Sequence, residues 1–333
     1  MLVIEARVAS GLPSLGEMEN AARLIYESMP ATAQYSWPQI NRRAGSEVWV
    51  KHENHTPVGA FKVRGGLVYM DWVRRERPEV ETVVSATRGN HGQSIACAAR
   101  RTGHKAVIVV PHGNSAEKNA AMRELGAELI EFGEDFQAAN EHGAALAVEK
   151  GWHRVPSFDM GLVRGIATYA LEFFRGAPEM ERVYVPIGMG SGVCGMIAAR
   201  DALGLRTRIV GVVSSAAPAM ARSFEAGRVS EAEAKTRIAD GVACRLPDAT
   251  ALNMVLGGVE RVVEVDDDEV EEAMRLYFTA THNAAEGAGA IGLAALLKDR
   301  SRGVGRVGTV LSGGNVDSDV FRRVLLGKGQ GDV

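Results

Sequence analysis

The chain has 333 residues, 46% of them hydrophobic, and a formal net charge of -3 at pH 7, which suits one large or two medium domains. This balanced charge gives no bulk attraction to nucleic acid or to an anionic membrane, and no apolar stretch reaches the roughly eighteen residues of a membrane span. Three scattered cysteines without CxxC spacing, Cys97, Cys194 and Cys244, argue against a disulfide framework or a zinc site.

Short apolar runs alternate with helix-length segments along the chain. The predicted strands are Glu47–His52, Thr82–Ala86, Ala106–Val110, Glu128–Glu131, Arg182–Ile187, Arg208–Val213, Arg261–Val265 and Arg306–Leu311. The predicted helices include Asn90–Arg101, Ala116–Leu125, Phe136–Glu149, Gly192–Leu203 and Asp267–Thr279. Runs such as AVIVVP are typical of parallel strands buried on both faces. The pattern predicts an α/β fold with open, mostly parallel sheets flanked by helices, whose ligand binds beyond the carboxyl ends of the strands.

The first loop of interest follows the strand EVWVKHEN and contains GAFKVRGG, with Lys62 near the start of a predicted helix. A lysine in such a place is most often a solvated surface charge. In an apolar pocket near a helix N-terminus, however, its pKa falls and the neutral amine can bind an aldehyde. Ala60 and Phe61 would supply that apolar cover.

The second loop follows VETVVSA and reads TRGNHG over residues 87–92. Gly89 permits a tight turn, and Asn90 is expected to cap the helix that follows. A plain helix cap does not account for Arg88 and His91 in the same turn. A strand-to-helix turn that offers backbone N–H groups and an amide suits a carboxylate and a phenolic oxygen.

The third loop, GMGSGVCG at residues 188–195, opens a helix after the strand ERVYVPI. Its glycines let backbone N–H groups converge on a phosphate at the positive end of the helix dipole. Gly190, Gly192 and Gly195 also form a nominal GxGxxG, so a dinucleotide-binding oxidoreductase is a rival interpretation. That fold needs a carboxylate at the end of the next strand, where this chain has Ser214 and Ser215, and the rival is therefore disfavoured but stays open.

The fourth loop follows the strand RVGTVL and contains SGGN, residues 312–315. A flexible turn with Asn315 as a helix cap would account for the motif equally well. A serine at the carboxyl end of a strand, here Ser312, can nevertheless bond a heteroaromatic nitrogen.

Together, GAFKVRGG, RGNHGQ, GMGSG and LSGGNVD resemble the motifs of the fold-type II pyridoxal-phosphate enzymes, closest to the threonine/serine dehydratase (ammonia-lyase) branch. They occur in that family's order over roughly residues 34–325, and IADGVA and AAEGAGAIGLAAL also resemble this branch. The resemblance implies a cofactor between two domains. Residues 1–51 with 160–327 would form the large cofactor-binding domain, residues 52–159 the small domain with Lys62 and the asparagine loop, and residues 328–333 a flexible tail.

The resemblance also implies roles for individual residues. Lys62 would hold pyridoxal 5'-phosphate as a Schiff base and act as the catalytic base. The other cofactor-binding residues would be Phe61, Asn90, Gly188, Met189, Gly190, Ser191, Gly192, Glu286 and Ser312. The substrate would contact Thr87, Arg88, Gly89 and His91. Asn90 would bond the 3-hydroxyl and Ser312 the pyridine nitrogen, and a neutral serine there makes the ring a weaker electron sink, which favours elimination.

Arg88 departs from the family pattern, since relatives commonly have serine before this glycine, and serine racemases use it as the second acid–base group. Arginine is effectively always protonated, so racemisation is disfavoured, and Arg88 is expected either to pair with a substrate carboxylate or to point into solvent.

Two further departures concern the metal site and the C-terminus. Val213, Ala217 and Ala219 stand where many relatives have acidic metal ligands, so no metal is predicted there. No regulatory extension follows the LSGGN helix, which implies a catabolic role.

The sequence therefore predicts a cytoplasmic pyridoxal-phosphate dehydratase that converts a 3-hydroxy-L-amino acid to a 2-oxo acid and ammonia. Threonine or serine is the default substrate, while a bulkier one such as phenylserine, or an acidic one such as 3-hydroxyaspartate, stays open. The alternatives are a racemase or β-replacement synthase of the same fold, a binding protein without catalysis, and the NAD-binding oxidoreductase. No nucleic-acid or membrane partner is expected, and the family suggests a homodimer.

Overall fold

Two separate sheets organise the chain, and the computed structural model describes residues 11–299 and 305–327. The elements of these residues are α1 (Leu15–Tyr26), β1 (Gln34–Ser36), α2 (Pro38–Ala44), β2 (Val48–His52), α3 (Lys62–Glu76), β3 (Thr82–Ala86), α4 (Asn90–Thr102), β4 (Lys105–Val110), α5 (Ala116–Glu124), β5 (Glu128–Glu131), α6 (Phe136–Lys150), β6 (His153–Arg154), α7 (Met160–Gly176), β7 (Arg182–Pro186), α8 (Ser191–Ala202), β8 (Arg208–Ser214), α9 (Ala219–Ala226), α10 (Ala249–Gly258), β9 (Arg261–Val265), α11 (Asp267–Thr281), α12 (Gly287–Lys298), β10 (Val307–Leu311) and α13 (Ser318–Leu326).

The larger sheet has six strands in the order β1-β2-β10-β7-β8-β9, all parallel except for the antiparallel pair β1–β2. In its centre Thr309 of β10 pairs with Val50 of β2 on one side and Tyr184 of β7 on the other. All five residues of β10 are buried, as expected of a strand that is covered on both faces.

The smaller sheet has four parallel strands in the order β5-β4-β3-β6. Each of its four strands is followed by a helix, which is the βαβ arrangement that the alternating sequence pattern predicts. The predicted class, an α/β fold with two open and mostly parallel sheets flanked by helices, is therefore confirmed. The proposed domain boundaries stay a prediction.

Helices α3 and α7 join the two sheets, because one apolar core includes side chains of both helices and of both sheets. The two helices approach closely at Gly65 and Gly165. A Cβ atom at Gly165 would lie 2.3 Å from the carbonyl oxygen of Arg64, so a larger residue would push α3 away. This close packing fixes the position of the first turn of α3, where Lys62 lies.

Two short strands were not predicted. β1 has three residues and β6 only two, and both carry polar side chains at the edge of a sheet, so neither has the apolar run that indicates a strand. The predicted tail at 328–333 lies outside the described residues. Within 11–299 and 305–327, no helix has both the length and the apolar character needed to cross a membrane.

Candidate active site

A cavity of about 550 Å³ lies where the four glycine-containing loops meet, at the carboxyl ends of β3, β7 and β10. Every residue that the sequence singled out for cofactor or substrate contacts lines this cavity. The four loops are far apart in the sequence, and the parallel strands bring them to one place because the carboxyl ends of such strands share an edge.

Lys62 is the first residue of α3, and its loop is attached to the serine loop. The backbone N–H of Phe61 donates to the carbonyl oxygen of Ser312 at 3.0 Å. The Lys62 amine donates to the Ser191 hydroxyl at 3.0 Å, and no carboxylate of the described residues forms an ion pair with it. Burial lowers the pKa of Lys62 to about 8. A substantial fraction of this amine is therefore neutral near physiological pH.

A buried ionic cluster holds the first turn of α3. Arg64 has no exposed side-chain surface, and its guanidinium binds Glu53 at 2.7 Å and Glu172 at 2.7 Å. Lys51, equally buried, binds Glu172 at 2.6 Å. Two cations and two anions from β2, α3, α7 and the turn after β2 thus balance one another. Lys62 lies two residues before Arg64, so the cluster restrains the helix end that carries the amine.

The asparagine loop is held by the buried hydroxyl of Thr87, which accepts hydrogen bonds from the N–H groups of Gly89 at 2.9 Å and Gly92 at 3.2 Å. The expectation that Asn90 caps α4 is wrong. Gly89 is the capping residue and makes no side-chain cap, and Asn90 is the first helical residue. Its side-chain amide forms hydrogen bonds with Glu286 and Asn315 instead.

The amide of Asn90 has a partner at each end. Its nitrogen donates to Glu286 at 2.6 Å, and its oxygen accepts from the amide of Asn315 at 2.9 Å. Asn315 also donates to the carbonyl oxygen of Val58 at 2.8 Å, so it contacts Asn90 rather than capping a helix. These contacts fix which end of the Asn90 amide is nitrogen. They leave one of its two amide hydrogens without a partner among the described residues.

His91 is 8% exposed, and its Nε2 has no hydrogen-bond partner. Its other ring nitrogen donates to the backbone carbonyl of Pro156, and burial, with the nearby charge of Lys62, lowers the pKa of His91 to about 3. The imidazole is therefore neutral and presents an acceptor nitrogen. Arg88, in the same loop, is exposed, and no described residue forms a hydrogen bond or ion pair with its side chain.

The glycine loop forms a cradle before α8. Gly190 has a φ of 102°, in the left-handed region, and a Cβ atom on Gly188 would lie 2.6 Å from the carbonyl oxygen of Gly241. The first N–H groups of α8 have no intrahelical acceptors and carry the positive end of the helix dipole. Such a cradle suits an anion with several oxygen atoms.

Ser312 follows β10, is 6% exposed, and donates its hydroxyl hydrogen to the carbonyl oxygen of Ala288 at 3.2 Å. A ring nitrogen would have to compete for that hydrogen. The predicted contact between Ser312 and a pyridine nitrogen therefore stays a prediction.

Lys118 was not predicted for the site. It lies on α5, and its Nζ is 3.9 Å from Oε2 of Glu286. The surrounding sequence, AEKNAAMRE, is typical of a solvated helix, so nothing in it distinguishes Lys118 from an ordinary surface lysine.

Comparison with known proteins gives matches over most of the chain. The family model described as pyridoxal-phosphate dependent enzyme matches residues 30–313. L-Threonine ammonia-lyase of Thermotoga maritima is 31% identical over 318 residues, which are 94% of this chain and 78% of that protein. L-threo-3-Hydroxyaspartate ammonia-lyase of Saccharomyces cerevisiae is 28% identical, with 96% and 98% covered. The structure of maize serine racemase superposes with a TM-score of 0.87 at 26% identity, covering 93% of this chain and 95% of that one.

Proposed function

This chain belongs to the pyridoxal-phosphate dependent enzymes, and we propose from that premise that it is an ammonia-lyase for a 3-hydroxy-L-amino acid. The substrate would lose water to give an enamine, and hydrolysis of that enamine would take up water again and release ammonia and a 2-oxo acid. The observation that carries the proposal is the buried amine of Lys62, which has a pKa of about 8 and a serine hydroxyl but no carboxylate as its partner.

Three polar groups of pyridoxal phosphate have suitable partners in the cavity. The cradle before α8 suits the phosphate, the Lys62 amine the aldehyde, and the remaining amide hydrogen of Asn90 the phenolic oxygen. The unpartnered Nε2 of His91 also indicates that a ligand binds here, since a buried polar atom normally has a hydrogen-bond partner.

The residues that would hold the cofactor are Phe61, Lys62, Asn90, the backbone of residues 188–192, and Ser312. When bound, pyridoxal phosphate supplies an electron sink that acidifies the Cα–H bond of an attached amino acid. Glu286 would orient the side chain of Asn90, because its carboxylate accepts a hydrogen bond of 2.6 Å from the Asn90 amide nitrogen.

Lys62 would move the proton of the reaction. Its amine, once free of the cofactor aldehyde, takes the proton from Cα of the substrate. The hydroxyl of Ser191 lies 3.0 Å from this nitrogen and can accept a hydrogen bond from the ammonium that forms. The β carbon–oxygen bond then breaks, and the ammonium of Lys62 would return its proton to the departing hydroxyl, which leaves as water. The released enamine takes up water and is hydrolysed to the 2-oxo acid and ammonia.

Arg88 and the N-terminus of α4 would bind the substrate carboxylate. Arg88 is free of protein partners among the described residues, and the first residues of the helix line the cavity. The same loop supports elimination over racemisation. An arginine is not a proton-transfer group in place of the racemase serine, and His91, with a pKa of about 3, stays neutral near neutral pH.

A substrate panel tests the proposal. Purified holoenzyme is incubated with L-threonine, L-serine, phenylserine and threo-3-hydroxyaspartate, and 2-oxo acid and ammonia are measured together. We expect equal amounts of both products from at least one substrate, and none from 2-aminobutyrate, which lacks the hydroxyl. Formation of the D-isomer without ammonia would instead identify a racemase, and an inert panel would contradict the proposal.

A further inference from the structure

We propose that Lys118 is a positioning residue of this site: its ammonium keeps Glu286 ionised, and Glu286 in turn orients the amide of Asn90. The inference rests on the proposed contact between Asn90 and the cofactor. Lys118 lies on α5, next to the smaller sheet. Glu286 lies just before α12, and Asn90 is the first residue of α4.

Lys118 reaches the cavity because the neighbouring loop has no side chain at one position. A Cβ atom on Gly89 would lie 2.6 Å from Cδ of Lys118, so the lysine stem occupies the space above this glycine. Its side chain is only 12% exposed, and its Nζ lies 3.9 Å from Oε2 of Glu286. No described residue accepts a hydrogen bond from this ammonium, whose interaction with Glu286 is therefore an interaction between charges.

Glu286 is the carboxylate on which this charge acts. Its side chain is 7% exposed, and one oxygen accepts the amide of Asn90 while the other faces Lys118. Burial raises the pKa of Glu286, Lys118 and Asn90 lower it, and Asp240, from the turn at 240–242, raises it further. Lys118 is the one cation among these neighbours, so its loss leaves only the Asn90 hydrogen bond to oppose burial and Asp240.

The ionisation of Glu286 matters because it fixes the hydrogen bonds of Asn90. An ionised carboxylate only accepts hydrogen bonds, so the Asn90 nitrogen must face it while the oxygen faces Asn315. A protonated Glu286 adds a donor at the same place and weakens its acceptor oxygen. The amide hydrogen that remains for the cofactor then loses its fixed direction.

The rival explanation is that the Lys118 stem merely covers Gly89. Two substitutions with side chains of similar length distinguish the effect of the Lys118 charge from the effect of its stem packing over Gly89. Lys118→Met keeps an apolar stem without the charge, and Lys118→Arg keeps the charge. Arg123→Met is the matched control, because Arg123 lies on the same helix, is more than half exposed, and pairs with Glu131 at the surface.

The experiment is a pH titration of the visible spectrum of bound pyridoxal phosphate in each purified holoenzyme. This spectrum responds to ionisation near the phenolic oxygen, where Asn90 would bind. We expect Lys118→Met to move the spectral midpoint upward by about one pH unit or more, since the loss of a nearby opposite charge raises a carboxyl pKa. Lys118→Arg should stay close to the wild-type midpoint, and Arg123→Met should not move it.

Glu286→Gln identifies the titrating group. In Glu286→Gln the transition assigned to this carboxyl should be absent, and adding Lys118→Met should cause no further pH-dependent change, because the two substitutions would act on one interaction. A Lys118→Met protein that titrates as the wild type does, or a shift that persists without the Glu286 carboxyl, would overturn the inference. If Lys118→Met is unstable, Lys118→Gln can replace it as the uncharged variant in the titration. The titration needs no turnover, so it stays interpretable even if the ammonia-lyase assay fails.

Discussion

The amine of Lys62 and the hydroxyl of Ser191 lie 3.0 Å apart, so the first residue of α3 contacts the first residue of α8. This hydrogen bond joins the lysine loop to the glycine loop and sets the amine beside the positive end of a helix. Burial disfavours the ammonium, and the pKa of Lys62 therefore falls to about 8.

The lowered pKa of Lys62 predicts the pH dependence of cofactor capture. The neutral amine is the form that attacks an aldehyde, so the capture rate should rise with pH and level off above about 8. Mixing apoenzyme with pyridoxal phosphate and following the visible band measures this rate. A rate that climbs without levelling to about pH 10 would indicate an ordinary lysine.

Arg88 should matter for substrate binding and not for stability. Its side chain is exposed and has no protein partner among the described residues, so Arg88→Ala should leave the unfolding temperature unchanged. Loss of a charge-assisted bond to the substrate carboxylate should raise KM about tenfold or more, which corresponds to at least ~1.4 kcal/mol. Unchanged KM values across the substrate panel would mean that Arg88 points into solvent.

The buried ionic cluster predicts a large stability effect at Glu172. Glu172→Gln removes one of two anions that balance Lys51 and Arg64, and should cost about 3–5 kcal/mol in urea unfolding. Glu272→Gln is the control, since Glu272 pairs with Arg43 at the surface and should cost less than about 1 kcal/mol. Equal costs for the two substitutions would show that the cluster does not restrain α3.

The cradle before α8 predicts a weaker hold on the cofactor in Gly188→Ala. The new Cβ atom would lie 2.6 Å from the carbonyl oxygen of Gly241, so the loop must shift. We expect the dissociation constant for pyridoxal phosphate to rise about tenfold or more. Gly257→Ala, where a Cβ atom would meet nothing within 4 Å, should leave it unchanged. A similar change in both variants would contradict a specific role of the loop.

The positions of the loops were predictable from the sequence because buried parallel strands have a clear apolar pattern. The glycines at 188–192 come just after β7, Lys62 comes after the nine residues that follow β2, and the topology brings the strand ends together. The short strands β1 and β6 were missed because two or three polar residues at a sheet edge have no such pattern.

Contacts that depend on the packing of distant segments were not predictable. The local sequence favours Asn90 as a helix cap, yet its amide bonds Glu286, which lies 196 positions further along the chain. Lys118 looks like a surface residue in its helix and reaches the cavity only because Gly89 has no side chain. Local patterns indicate which loop ends face a ligand, and the tertiary contacts decide what each side chain does there.

The visible absorbance of Lys62→Ala tests the central claim most directly. Wild-type holoenzyme should show the band of lysine-bound pyridoxal, and Lys105→Ala, which removes an exposed lysine, should show the same band. Lys62→Ala should lack this band after purification and lose at least about a thousandfold in ammonia release. A Lys62→Ala protein that keeps both the band and the activity would show that another amine holds the cofactor, and would contradict the account.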